Sequence, residues 1–81
     1  MIDINSLVKT VPEIQIIITK NFKKRRKEHK ITQKELSYRS GVPVPSIKRF
    51  EQKGDISLAS LIKIANVLEL ENDLITLFTK P

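Results

Sequence analysis

Apolar positions along the chain fall into five blocks separated by turn signals. In the first, Ile14, Ile17, Ile18 and Phe22 recur at helical spacing. Thr10 and Glu13 have the spacing of a capping box, and Pro12 is tolerated in a first turn, so a helix starts there. The β-branched run IQIII also reads as a strand, but continuation through lysine-rich, proline-free sequence to His29 favours one long helix. A second helix fits 33–40, with Thr32 as N-cap, Glu35 three residues on, Leu36 inward, and Ser37 and Ser40 small enough for close packing. Gly41 suits a left-handed turn position. A third helix runs from 44 or 45 to 52 and stops at Gly54. Ser57 caps a fourth, with the stripe Leu58, Leu61, Ile62, Ala65 and Leu68. Asn72 or Asp73 caps a short last helix bearing Leu74, Ile75, Leu77 and Phe78. Residues 1–10 show no helical face and read as an N-terminal arm, leaving 11–81 as the domain. Five helices without strand pairs predict an all-α bundle.

Residues 41–54, GVPVPSIKRFEQKG, carry the most specific local signal. Two short helices joined by about four residues that include a glycine form a helix-turn-helix. On a helical wheel Ile47 and Phe50 fall together with Glu51 beside them, while Pro45, Lys48, Arg49 and Gln52 fall opposite. The apolar pair must be buried, so the basic and amide side faces out. Proline in a first turn removes no intrahelical hydrogen bond, so the prolines stiffen the turn without breaking the helix. Arg and Gln reach base edges in a major groove that admits an α-helix, and Lys and Arg hold phosphates. The bland alternative is an ordinary solvated face.

Composition adds a partner. Net charge is +6, but residues 1–53 carry 13 Lys/Arg against 5 Asp/Glu, and residues 54–81 carry 2 against 4. A basic front half and a slightly acidic back half point to one face attracted to a polyanion. A chain of 81 residues, 40% apolar, has enough for one small core and gains from an oligomer that buries more. The absence of cysteine excludes disulfides and thiolate metal sites and fits a reducing cytosol. The longest apolar run, Ile16–Ile18, is far short of a bilayer span, and no signal-peptide pattern opens the chain, so the expected location is cytoplasmic. A membrane-surface helix over 20–30 fails because Phe22 is its only bulky apolar residue among seven basic ones. Catalysis is not expected: there is one histidine, no glycine-rich phosphate loop and no inward carboxylate pair. His29 reads as a surface or helix-capping residue, and Glu69, Glu71 and Asp73 as a cap and solvated loop. No cofactor or metal is expected.

The segment TQKELSYRSGVPVPSIKRFEQKGDISLASLIKIANVLEL resembles the lambda-repressor-like helix-turn-helix domain of the Xre family of bacterial and phage regulators. The resemblance covers about residues 22–78, with its elements in the family's order: a basic RRK, TQxEL, Gly41, SIxxFE and SLxxLxxIAxxL. It implies binding to a double-stranded DNA operator. Carried over residue by residue, it implies phosphate contact by Gln33, Gln52 and Lys53, with Lys23 and Lys24 as further phosphate-facing lysines. It implies base reading by Val44, Pro45, Ser46, Lys48 and Arg49, and an internal salt bridge between Arg26 and Glu51. The wheel independently puts Glu51 near the buried side, where an unpaired carboxylate is costly.

Two departures from the family pattern stand out. Pro43, Val44 and Pro45 occupy positions usually polar at the N-cap and early base contacts, so early readout becomes apolar, for example against a thymine methyl, and hydrogen-bonded specificity falls on Arg49, Lys48 and Ser46. Arg25 stands where the family often has an apolar residue, and its stem can cover apolar surface while the charge reaches water. Finally, RFEQKGDISLASL with an LF ending and a PEI-type lead resembles HipB-like antitoxins, which implies a homodimer and a HipA-type kinase toxin as partner. A stand-alone repressor is the alternative. Ile64 and Val67, with Leu74, Ile75, Leu77 and Phe78, are read as the dimer or partner surface, against the alternative of a tightly wrapped core.

Overall fold

In the computed structural model, which describes residues 9–80, the chain forms α1 (Val11–Glu28), α2 (Gln33–Ser40), α3 (Val44–Lys53), α4 (Leu58–Val67) and α5 (Glu71–Ile75). The arm expected over 1–10 lies outside the described residues except for Lys9 and Thr10. Local chemistry explains the starts of three helices. Thr10 and Glu13 form a reciprocal capping box on α1, and the side chains of Thr32 and Ser57 accept from Glu35 and Ser60 N–H at α2 and α4. His29 ends α1 as C-cap, its N–H donating to Arg25 O and its ring Nδ1 lying 2.9 Å from the same carbonyl. The last helix differs from expectation. It begins at Glu71 after Leu70 with no side-chain cap, so Asn72 and Asp73 lie inside it, and Leu77 and Phe78 follow it in a turn.

α1 packs on α3, α2 on α3 and α4, and α5 on α4. The core they enclose comprises Phe22, Ile31, Leu36, Val42, Ile47, Phe50, Ile64 and Leu68. Phe22 and Phe50 meet edge to face with ring centroids 5.3 Å apart, the aromatic geometry favoured by ring quadrupoles. Ile31 and Val42, both in turns, fill the space between helices that periodicity alone does not reach.

Two faces are rotated from the sequence expectation. On α1 the inward line is Gln15, Thr19, Phe22 and Arg26, while Ile14, Ile17 and Ile18 stand half exposed. The reason is the neighbour. The C-cap of α3, Gly54, lies so close to α1 that a Cβ there would come 2.6 Å from Gln15 Cβ, and Gln15 Nε2 donates to Gly54 O at 3.3 Å. Slim polar stems suit that contact, and buried Thr19 satisfies its hydroxyl on Ile16 O. On α4 the inward line is Leu61, Ile64, Ala65 and Leu68, with Leu58 and Ile62 left largely exposed. Ile64 is 0% exposed and Val67 is half-buried against the core, so this pair packs the domain's own interior. Their assignment to a dimer or partner surface is corrected accordingly.

Candidate nucleic-acid interface

The turn between α2 and α3 is built by four residues with separate tasks. Gly41 ends α2 at φ +78° with its N–H on Ser37 O, a left-handed conformation that costs other residues energy. Val42 turns inward, almost fully buried, and its N–H donates to Ser40 Oγ. Pro43 is the N-cap of α3 and supplies no side-chain cap bond. None is missed: of the four amides at this helix start, Pro43 and Pro45 carry no hydrogen, and Ser46 N–H donates to Pro43 O at 3.0 Å. The prolines thus do more than stiffen the turn. They remove donors that an N-cap side chain otherwise satisfies, and they leave Val44 as the remaining amide at that end.

α3 has the two-sided character read from its sequence. Ile47 and Phe50 are buried in the core, whereas Pro45, Lys48, Arg49, Gln52 and Lys53 are exposed, with Val44 and Ser46 half-buried at the N-terminal end. Arg49 is not free in solvent. Its Nε and Nη2 lie 3.0 and 2.9 Å from one carboxylate oxygen of Asp55, and both side chains remain more than half exposed. The sequence reading did not single out Asp55. The signal was present in its position just past Gly54, because a left-handed glycine folds the following residue back beside the helix.

The helix is held at its other face by a buried ion pair. Arg26 Nε and Nη2 donate to Glu51 Oε2 and Oε1 at 2.7 and 3.0 Å, and Arg26 Nη1 donates to Ile31 O at 2.8 Å. The side chains are only 9% and 2% exposed. A bidentate fork between planar groups fixes orientation as well as distance. Gln33 joins the network, its Nε2 donating to Glu51 Oε1 at 3.1 Å, so the start of α2 is tied to the end of α3. One amide hydrogen and the amide oxygen of Gln33 remain for another partner.

The lysines expected at phosphates do not all gather there. Lys53 and Gln52 sit at the exposed C-terminal end of α3 beside Glu51. Lys23 and Lys24 lie on α1, where they share a lysine-lined hollow with Lys20 and Lys27. Arg25 is exposed and pairs with Glu28 at 2.7 Å, while its stem borders an apolar groove floored by Phe22, Phe50 and Leu61. At the far end Leu74 is half-buried, and Ile75, Leu77 and Phe78 are exposed, Phe78 by 96%. Among the described residues no helix is long and apolar enough to cross a membrane.

Comparison with protein families gives one match: the family model described as Helix-turn-helix covers residues 22–72. That span opens at the first core residue of α1, takes in α2, α3 and α4 whole, and ends in α5. No curated protein and no solved structure gave a match.

Proposed function

The chain belongs to the Xre/lambda-repressor-like helix-turn-helix family, a family of DNA-binding transcription regulators, and from that premise we propose that it is a sequence-specific repressor acting as a homodimer on an operator in the cytoplasm. The observation that carries the reading is the exposed Lys48–Arg49–Gln52 face of α3, held outward by a buried, fully bonded Arg26–Glu51 pair on its opposite side. α3 enters the major groove. Val44, Pro45, Ser46, Lys48 and Arg49 face base edges, and Gln33, Gln52 and Lys53 hold the backbone on either side. Lys23 and Lys24 add longer-range attraction to phosphate. A compact DNA-binding domain acts most simply by occluding a promoter.

A C2 dimer follows from the small core together with the exposed Ile75, Leu77 and Phe78. It sets two copies of α3 on half-sites about one DNA turn apart, roughly 34 Å, or a multiple. Footprinting of the purified protein on its own upstream DNA, with sedimentation at tens of micromolar, tests both parts. A two-fold symmetric footprint from a dimer is expected, and a monomer protecting one half-site refutes the dimer.

The same exposed apolar end favours a second reading, an antitoxin of the HipB kind whose C-terminal surface also holds a HipA-type kinase toxin. A kinase-like gene beside this one, and loss of complex formation in Phe78→Asp with DNA binding retained, distinguish it from a stand-alone repressor.

A further inference from the structure

We propose that Asp55 is a specificity-determining residue of the DNA-reading surface, positioning Arg49 so that the end of its guanidinium meets a guanine. The inference rests on the base-reading role of Arg49 proposed above.

Five acidic groups other than Asp55 precede α5 among the described residues' front part of the chain, and their tasks are local: Glu13 caps α1, Glu28 and Glu35 pair along their own helices with Arg25 and Arg39, and Glu51 holds Arg26. Asp55 differs. It pairs with a residue of α3 from beyond the end of that helix, on the most exposed part of the outward face. An ion pair this exposed contributes little to folding. A carboxylate beside a polyanion also weakens phosphate attraction, so its effect must be sought in discrimination rather than in affinity.

The geometry supplies the means. Both contacts use the Nε/Nη2 edge of the guanidinium and converge on one oxygen, Asp55 Oδ2, at 3.0 and 2.9 Å. That leaves Nη1 with its hydrogens and the second hydrogen of Nη2, which together form the end-on fork. The fork matches O6 and N7 of guanine. Holding the opposite edge removes rotamer freedom before binding, so less is lost when the base is met. Asp55 is itself placed from the other side of the domain. Gly54 is left-handed at φ +73°, and its lack of a Cβ is enforced by Gln15 of α1, which fixes the turn that brings Asp55 back beside Arg49.

The test is a double-mutant cycle on full-length protein, read on an operator selected from random duplexes by the wild type and on operators substituted at one base pair at a time. Comparing duplexes of equal phosphate number cancels the general effect of removing a negative charge. Arg49→Ala should cut discrimination at one guanine per half-site by about 5- to 150-fold. Asp55→Asn should cut discrimination at that same position by about two- to tenfold, the loss expected for one side chain no longer held. It should raise affinity for random DNA, leave the thermal midpoint in place, and have no further effect on discrimination in the Arg49→Ala background. If Asp55→Asn changes all duplexes alike, Asp55 is a charge and nothing more, and the proposal fails. Sharper discrimination in Asp55→Asn means that the carboxylate masks Arg49, which also overturns it. If Arg49→Ala itself leaves discrimination intact, it is the base-reading role of Arg49 that has failed.

Discussion

Glu51→Ala tests the account of how α3 is held. The substitution removes both acceptors of the Arg26 fork and leaves Nε and Nη2 in a site where the arginine side chain is 9% exposed. Only the bond from Nη1 to Ile31 O survives, and Gln33 loses its partner on α3. Removing one member of a buried pair costs about 3–5 kcal/mol, because the remaining charge is desolvated without compensation. A domain of this size has a total stability of about 4–12 kcal/mol, so the loss is a large fraction of it. At about 4–8 °C per kcal/mol the thermal midpoint should fall by at least 12 °C. Far-UV circular dichroism melts of wild type, Glu51→Ala and Glu51→Gln provide the measurement, with the glutamine intermediate because it keeps one acceptor. The double variant Arg26→Met, Glu51→Leu should regain much of the loss, since an apolar pair leaves no stranded charge. DNA binding should persist at temperatures where Glu51→Ala is still folded. A midpoint within about 3 °C of wild type would falsify the premise that the bridge is buried and structural.

The two glycines should differ under the same substitution. Gly41→Ala meets open space and bears only the left-handed backbone penalty of about 1–2 kcal/mol, whereas Gly54→Ala adds the collision with Gln15, so urea titration should place it clearly lower; equal midpoints refute the close contact. Lys23→Ala, Lys24→Ala and Lys53→Ala should each weaken operator and random DNA together and flatten the salt dependence by about one unit per lost phosphate contact, and an unchanged slope removes that lysine from the interface. Glu13 is held below its ordinary carboxylate range, first by the Thr10 hydroxyl and then by the Thr10 backbone N–H. The cap's contribution is therefore complete above the unfolded value and is lost as pH falls through the depressed one; a carboxyl titration by NMR that returns an ordinary or raised value contradicts it.

The sequence's local signals were legible where a residue's own chemistry decides the outcome. Thr10, Thr32 and Ser57 cap their helices as read, Gly41 and Gly54 take left-handed conformations, and the all-α order follows from spacing and caps. The Arg26–Glu51 bridge was accessible by resemblance and by the wheel, since a carboxylate beside Phe50 needs a partner. Asp55 escaped notice because an aspartate after a glycine is an ordinary loop residue until the turn's direction is known.

Facing was a different matter. α4 carries apolar residues at Leu58, Leu61, Ile62, Ile64, Ala65, Val67 and Leu68, too many for periodicity to select one stripe, and α2 and α5 decide by burying Ile64 and leaving Ile62 out. On α1 the isoleucines form the better stripe, yet Gln15 and Thr19 face inward because α3 ends there in a glycine that tolerates only slim neighbours. Backbone propensity and capping act within a few residues and can be read along a chain. Which side of a helix is covered depends on the shape of whatever packs against it, and that shape exists only once the helices have met.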